Sequence, residues 1–125
     1  MDSSTKTLIA VLIAVVLFKF LLGSRVDRKA DLPSLLRQGA LLIDVRTPGE
    51  FAAGHVEGAI NVPLDQLTEK IGRRAKKKST PIIVYCHSGS RSGMAKKLLL
   101  RQGYEQVVNG GSLHRMRAIL RGPSE

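Results

Sequence analysis

The chain has 125 residues, enough for one domain. Lys plus Arg number 20 against 10 Asp plus Glu, a formal net charge of +10, yet aromatic residues are only 4% and no zinc or RNA-binding signature is present. Nucleic acid is therefore not the expected partner, and a basic surface that faces anionic lipid or steers small anionic substrates accounts for the charge. One cysteine excludes an internal disulfide, and with three scattered histidines it makes no metal site, so neither metal nor cofactor is expected.

Residues 1–7 are short and polar. Residues 8–22 are apolar apart from Lys19. A spanning helix needs about 17–25 residues, a length reached here by including Thr7, Gly23 and Ser24, with Lys19 snorkelling to the interface. A cleaved signal peptide is the rival, but its basic region would be Lys6 alone and no Ala-x-Ala site follows. Residues 1–24 are therefore expected to form an N-terminal transmembrane anchor that meets membrane lipid through residues 8–22. Lys19, Arg25, Arg28 and Lys29 follow the run and only Lys6 precedes it. The positive-inside rule then places a single-pass protein with its C-terminal domain in the cytoplasm, which suits a free thiol.

Residues 25–30 read as a charged linker, 31–121 as the domain and 122–125 as a tail. Asp31 is a helix cap before Leu32, Leu35 and Leu36, and Gly39 ends that helix. Residues 41–45 read as a buried strand. Thr47-Pro48-Gly49-Glu50 is a capping box with proline at the first helical position, and Phe51 and Ala52 are expected to pack inward. Residues 59–62 read as a short strand and 64–71 as a helix. The basic run 70–78 reads as a solvated face. Residues 106–108 read as a last strand, followed by the turn Asn109-Gly110-Gly111 and a helix with Leu113, Met116 and Leu120 on its apolar face. His114 and Arg115 are expected at the surface.

Residues 81–92 carry the chemistry. Ile82, Ile83, Val84 and Tyr85 form a β-branched, apolar run that suits a central parallel strand covered on both faces. The composition then turns small and polar from Cys86 through His87, Ser88, Gly89, Ser90, Arg91 and Ser92. Such residues let successive N–H groups curl inward into an anion-binding nest. The loop empties into a helix with Met94, Ala95, Leu98 and Leu99 on one face, whose N-terminus favours an anion. A cysteine in that cradle should be more acidic than a free thiol at about 8.5, and Arg91 adds a positive charge. Four residues separate Cys86 from Arg91, one fewer than in cysteine phosphatases. The bowl is correspondingly smaller and suits a sulfur atom carried on the thiolate.

This loop resembles that of rhodanese-like sulfurtransferases, whose pattern Cys-x-x-Gly-x-Arg-Ser is met by Cys86, Gly89, Arg91 and Ser92. A second resemblance lies in residues 42–63. There Asp44, Arg46, Glu50, Phe51, Gly54, His55, Val56, Gly58, Ala59 and Asn61 match the family's amino-terminal signature. The Val-x-x-Gly-Gly turn before the last helix is a third. Many family members carry a tryptophan a few residues later, where this chain has His114 or Met116.

The resemblance implies an α/β rhodanese-like fold, a mainly parallel central sheet flanked by helices. It implies that Cys86 takes a sulfane sulfur from a small anionic donor such as thiosulfate and passes it, as a persulfide, to cyanide or a thiol acceptor. His87, Ser88, Gly89, Ser90, Arg91 and Ser92 would bind the substrate, with the backbone N–H groups of residues 87–91 around the sulfur. Asp44, Arg46, Glu50 and His55 are expected to form a structural polar network. Two other readings stand beside this one: a non-catalytic module that senses reactive sulfur or tethers a partner at a membrane, and a phosphatase or arsenate reductase, which the loop length disfavours.

Overall fold

The computed structural model describes residues 2–23 and 25–121, and of residues 19–23 only the backbone. The expected tail 122–125, the side chain of Lys19 and residue Ser24 lie outside the described residues. Four strands, β1 (Leu41–Asp44), β2 (Ile60–Asn61), β3 (Ile82–Cys86) and β4 (Val107–Ser112), form one sheet in the order β2-β1-β3-β4. Every pairing is parallel, with Asp44 opposite Tyr85 and Val84 opposite Asn109. Parallel neighbours need crossovers, and the short helices between the strands supply them: α3 (Pro48–Ala53), α4 (Leu67–Arg74) and α5 (Ser90–Arg101), while α2 (Leu32–Arg37) precedes β1 and α6 (Leu113–Leu120) follows β4. The N-terminal helix α1 spans Ser3–Gly23.

The sheet is the middle layer of three. All five residues of β3 are buried, and alternate side chains go to opposite faces. Ile82, Val84 and Cys86 meet Leu67 and Ile71 of α4 and Ala95 and Leu99 of α5. Ile83 and Tyr85 meet Leu32 and Leu35 of α2 and Met116 of α6. A central strand apolar on both faces is what the run 82–85 predicts.

Local signals hold at the helix ends. Asp31 Oδ1 accepts from Ser34 N–H at 3.1 Å at the start of α2. The capping box of α3 is complete: Thr47 Oγ1 accepts from Glu50 N–H, and Glu50 Oε1 accepts from Thr47 N–H, both at 3.2 Å. Three expectations change. No residue of α3 is fully buried, and Ala52 is exposed. Phe51 instead stacks on His55 at 3.6 Å. Met94 points outward at 47% exposure, because Ser92, Ala95 and Leu99 take the buried stripe of α5. The last strand runs on through Asn109, Gly110 and Gly111, read from sequence as a turn. A register shift opposite Val84 and Tyr85 lets that stretch stay paired to β3.

Gly110 is required by space rather than by backbone angle. A Cβ there would lie 2.5 Å from Met116 Sδ and 3.4 Å from the Val84 carbonyl. Gly110→Ala is expected to cost about 1–3 kcal/mol through overpacking, seen as a lower urea midpoint with the m-value unchanged.

Among the described residues, no helix is long and apolar enough to cross a membrane. The span expected over residues 1–24 is thus not established. Leu8, Leu12, Val16 and Phe18 of α1 are each more than half exposed. The basic run 70–78 lies on α4 and in the turn before β3, at the opposite end of that strand from Cys86. It is largely solvated, and Lys78 Nζ sits 4.1 Å from the Tyr104 ring centroid.

Candidate active site

Cys86 is the last residue of β3, and its side chain is completely buried. The chain then turns sharply into α5. Gly89 makes that turn with φ +97°, a conformation glycine adopts without strain. Its N–H donates to Cys86 Sγ at 2.9 Å, and Ser92 Oγ lies 3.3 Å from the same sulfur. Burial pushes the thiol up, but the Ser92 hydroxyl and the backbone N–H groups of Ser92, Gly89 and Ser88 outweigh it. The thiol therefore titrates below its ordinary value of 9.0. The amides acting on the Cys86 sulfur are those of residues 88, 89 and 92.

The six loop residues separate into distinct positions. Gly89 and Ser92 are buried against the sulfur. Ser88 and Ser90 are exposed, and their hydroxyls pair with each other at 3.1 Å. His87 is exposed beside α6, where it lines a hollow of about 260 Å³ with Leu113, His114 and Arg117. Arg91 does not face the sulfur as a free cation. Its guanidinium grips Glu50 of α3 through two bonds, at 2.6 and 2.9 Å.

The expected network of Asp44, Arg46, Glu50 and His55 resolves into three units. Asp44 and Arg46 form a buried pair at 2.7 Å after β1, and Arg46 Nη2 also donates to the Gly54 carbonyl at 2.6 Å. Glu50 caps α3 and binds Arg91. His55 Nδ1 lies 2.9 Å from the Phe51 carbonyl on the exposed side of α3. No group of three or more His, Cys, Asp or Glu among the described residues could hold a metal.

The Arg91 guanidinium holds the Glu50 carboxyl at about 2, below its ordinary 4.5. A carboxylate whose value falls on folding contributes stability above about pH 4.5, and that contribution is lost as pH falls through about 2. Urea unfolding across this window should show that acid slope in the native chain and a shallower one in Glu50→Gln.

Sequence reasoning missed Asn109, whose signal was hidden inside an apparent Asn-Gly-Gly turn. Its amide is buried and bonds to both Gly89 and Ser92. It also missed that residues 25–27 pack onto the loop rather than serving only as a linker.

The rhodanese-like domain family matches residues 29–112. The chain belongs to that family. The rhodanese domain is 44% identical over 71 residues to thiosulfate sulfurtransferase PspE of Escherichia coli (strain K12), covering 57% of this chain and 68% of that one. It is 36% identical over 80 residues to thiosulfate sulfurtransferase GlpE of Pseudomonas fluorescens (strain SBW25), covering 62% and 72%. A solved structure described as "rhodanese with anions from E. coli" superposes with a TM-score of 0.59 at 41% identity, covering 61% of this chain and 89% of that one. The human single-domain sulfurtransferase TSTD1 gives 0.58 at 28% identity, covering 75% and 93%. Relatives named as thiosulfate sulfurtransferases, a rhodanese fold and a lone cysteine in the loop therefore coincide in this chain.

Proposed function

We propose that the protein transfers a sulfane sulfur from a small anionic donor, thiosulfate being the simplest, through a Cys86 persulfide to cyanide or a thiol. The observation that carries this is the buried Cys86 sulfur held by the Gly89 N–H and Ser92 Oγ at the N-terminal end of α5. The Cys86 thiolate attacks the outer sulfur of thiosulfate. The bond between the two donor sulfurs breaks, and sulfite leaves with the electron pair. The terminal sulfur of the resulting persulfide stays anionic among the loop amides and the helix end. Cyanide then attacks that sulfur, thiocyanate departs, and the Cys86 thiolate is restored. Splitting the transfer into two displacements at one nucleophile is covalent catalysis.

The surroundings suit an anion. A cleft of about 1110 Å³ beside Ser88 and Ser90 is lined by Arg25, Arg28, Lys29 and Lys96, with Asp27, paired to Lys96, the one acidic residue among them. On the other side the hollow at His87 has no acidic residue in its lining. Arg91, neutralised by Glu50, holds the loop against α3 and leaves the loop amides and the exposed Ser88 and Ser90 as donors to the substrate, while Ser92 serves the Cys86 sulfur. Incubation with thiosulfate should add the mass of one sulfur atom to the intact chain, and an acceptor should remove it. No adduct on Cys86 would sink this reading.

The same proposal includes attachment to a membrane through residues 8–22, with the rhodanese domain on the cytoplasmic side. The exposed apolar side chains of α1 and the basic residues that follow it support this. The full chain should float with lipid vesicles, and a chain in which Leu12 and Val16 are both changed to Asp should not.

A further inference from the structure

Asn109 stands on β4 with its side chain completely buried and all four hydrogen-bonding positions of its amide in use. Oδ1 accepts from the Ser92 hydroxyl at 2.7 Å and from the Gly111 N–H at 3.0 Å. Nδ2 donates to the Gly89 carbonyl at 3.1 Å and to the Arg25 carbonyl at 3.3 Å. Gly89 N–H and Ser92 Oγ lie 2.9 and 3.3 Å from the Cys86 sulfur. One amide therefore ties both of them to the sheet.

A strap formed by residues 25–27 braces Asn109 from outside. The Asp27 N–H donates to the Asn109 carbonyl at 2.9 Å, and Asp27 Oδ2 accepts from the Asn109 N–H at 2.7 Å. The same oxygen pairs with Lys96 Nζ at 2.8 Å. Val26 lies across the glycines of the bowl. A Cβ on Gly89 would come within 3.0 Å of its Cγ2, and one on Gly111 within 3.1 Å of its Cγ1. The strap precedes residue 29, where the family match begins.

We propose that Asn109 is a positioning residue for the Cys86 site, acting through Ser92 and Gly89, and that the strap of residues 25–27 keeps its amide aligned with them. Ser92 has a single hydroxyl proton. While Cys86 is a thiol, that proton goes to Asn109 Oδ1 and the thiol donates to Ser92 Oγ. When Cys86 ionises, the Ser92 proton must turn to the sulfur, while Asn109 Oδ1 keeps the Gly111 N–H. Asn109 thus holds the hydroxyl beside the sulfur in the thiol state, and in both states it holds the Gly89 peptide whose N–H meets the sulfur. Without the strap, the outward bonds of Asn109 are lost, β4 is free to shift at its edge, and both donors drift from the sulfur.

The turnover arm of this inference rests on the sulfur-transfer reading; the thiol arm does not. The charged and titratable groups around the bowl are Arg91 with Glu50, Asp44 with Arg46, His87, Arg115, the cleft residues Arg25, Arg28 and Lys29, and Lys96 with Asp27. Only the last pair changes in the test variants. In the full chain, Asp27→Ala should slow iodoacetamide alkylation of Cys86 at neutral pH by about threefold or more, because less of the thiol is ionised. Loss of the carboxylate charge alone acts in the opposite direction and would speed it. Asp27→Asn keeps an oxygen for the Asn109 N–H and should alkylate at the native rate within about twofold. In an Asn109→Ala background, Asp27→Ala should add no further slowing. If Asn109→Ala does not fold, Ser92→Ala serves as the background, and the slowing must shrink there. Thiosulfate turnover should fall with the alkylation rate while KM holds. An Asp27→Ala chain that alkylates as fast as the native one, or that slows equally in either background, overturns the proposal. If no variant, native included, turns over thiosulfate, the alkylation comparison still decides this inference and only the sulfur-transfer reading fails.

Discussion

Cys86→Ser is expected to lower thiosulfate:cyanide turnover by at least about three orders of magnitude while the chain unfolds at nearly the native urea concentration. The loss follows from what the hydroxyl cannot do. A serine in the same bowl stays protonated near neutral pH, and oxygen cannot carry the transferred sulfur as a persulfide. The side chains are nearly equal in size, and a hydroxyl can take the sulfur's place beside the Gly89 N–H and Ser92 Oγ in the buried cluster that holds Val84 and Ala95. Fold and activity should therefore separate cleanly. The native rate should also rise with pH and level off below the ordinary thiol value of 9.0, since the Ser92 hydroxyl and loop amides overcome the effect of burial. A serine variant that keeps turnover within about tenfold of native would sink the covalent mechanism.

The largest effect on stability is expected at Arg46. Asp44 is completely buried and Arg46 is 4% exposed, and they share bonds at 3.0, 3.1 and 2.7 Å. Asp44 also accepts from the Arg46 N–H at 2.9 Å. Removing one partner leaves the other charge buried and unpaired, so Arg46→Ala should cost about 3–5 kcal/mol in urea unfolding. It also frees the Gly54 carbonyl at the end of α3, the helix that carries Glu50 to Arg91. Replacing both partners, Asp44→Val with Arg46→Leu, should cost less than Arg46→Ala alone. A single Arg46→Ala variant within about 1 kcal/mol of native would show that water reaches Asp44.

Several features are legible in the chain because their causes are local. The Thr47–Glu50 box closes within one helical turn, so residue types three apart suffice to place it. The change from Ile82–Tyr85 to the small residues after Cys86 marks where a buried strand ends and a nest begins. The β-branched run, the Asp31 cap and the glycines at 39, 89 and 103, each at positive φ, act on their own neighbours.

Other features come from residues far apart in sequence. Arg91 reads as a free cation beside the thiol until α3 brings Glu50 to it from 41 positions away. Asn109 reads as a turn residue until the bulged pairing of β4 with β3 turns its amide inward to Ser92 and Gly89. Met94 reads as core until the Ser92–Asn109 bond sets which stripe of α5 faces the sheet. Residues 25–27 read as a spacer until Asp27 pairs with Asn109.

The sequence alone determined the rhodanese family, the α/β class with a parallel sheet, and the place of the single cysteine, Cys86, where the strand meets the loop, because periodicity, caps and loop composition are written in adjacent residues. Only the tertiary structure decided which donors reach the sulfur, what partner Arg91 takes and what braces the loop. Those outcomes depend on contacts between segments tens of residues apart, and side-chain chemistry names the possible partners without choosing among them.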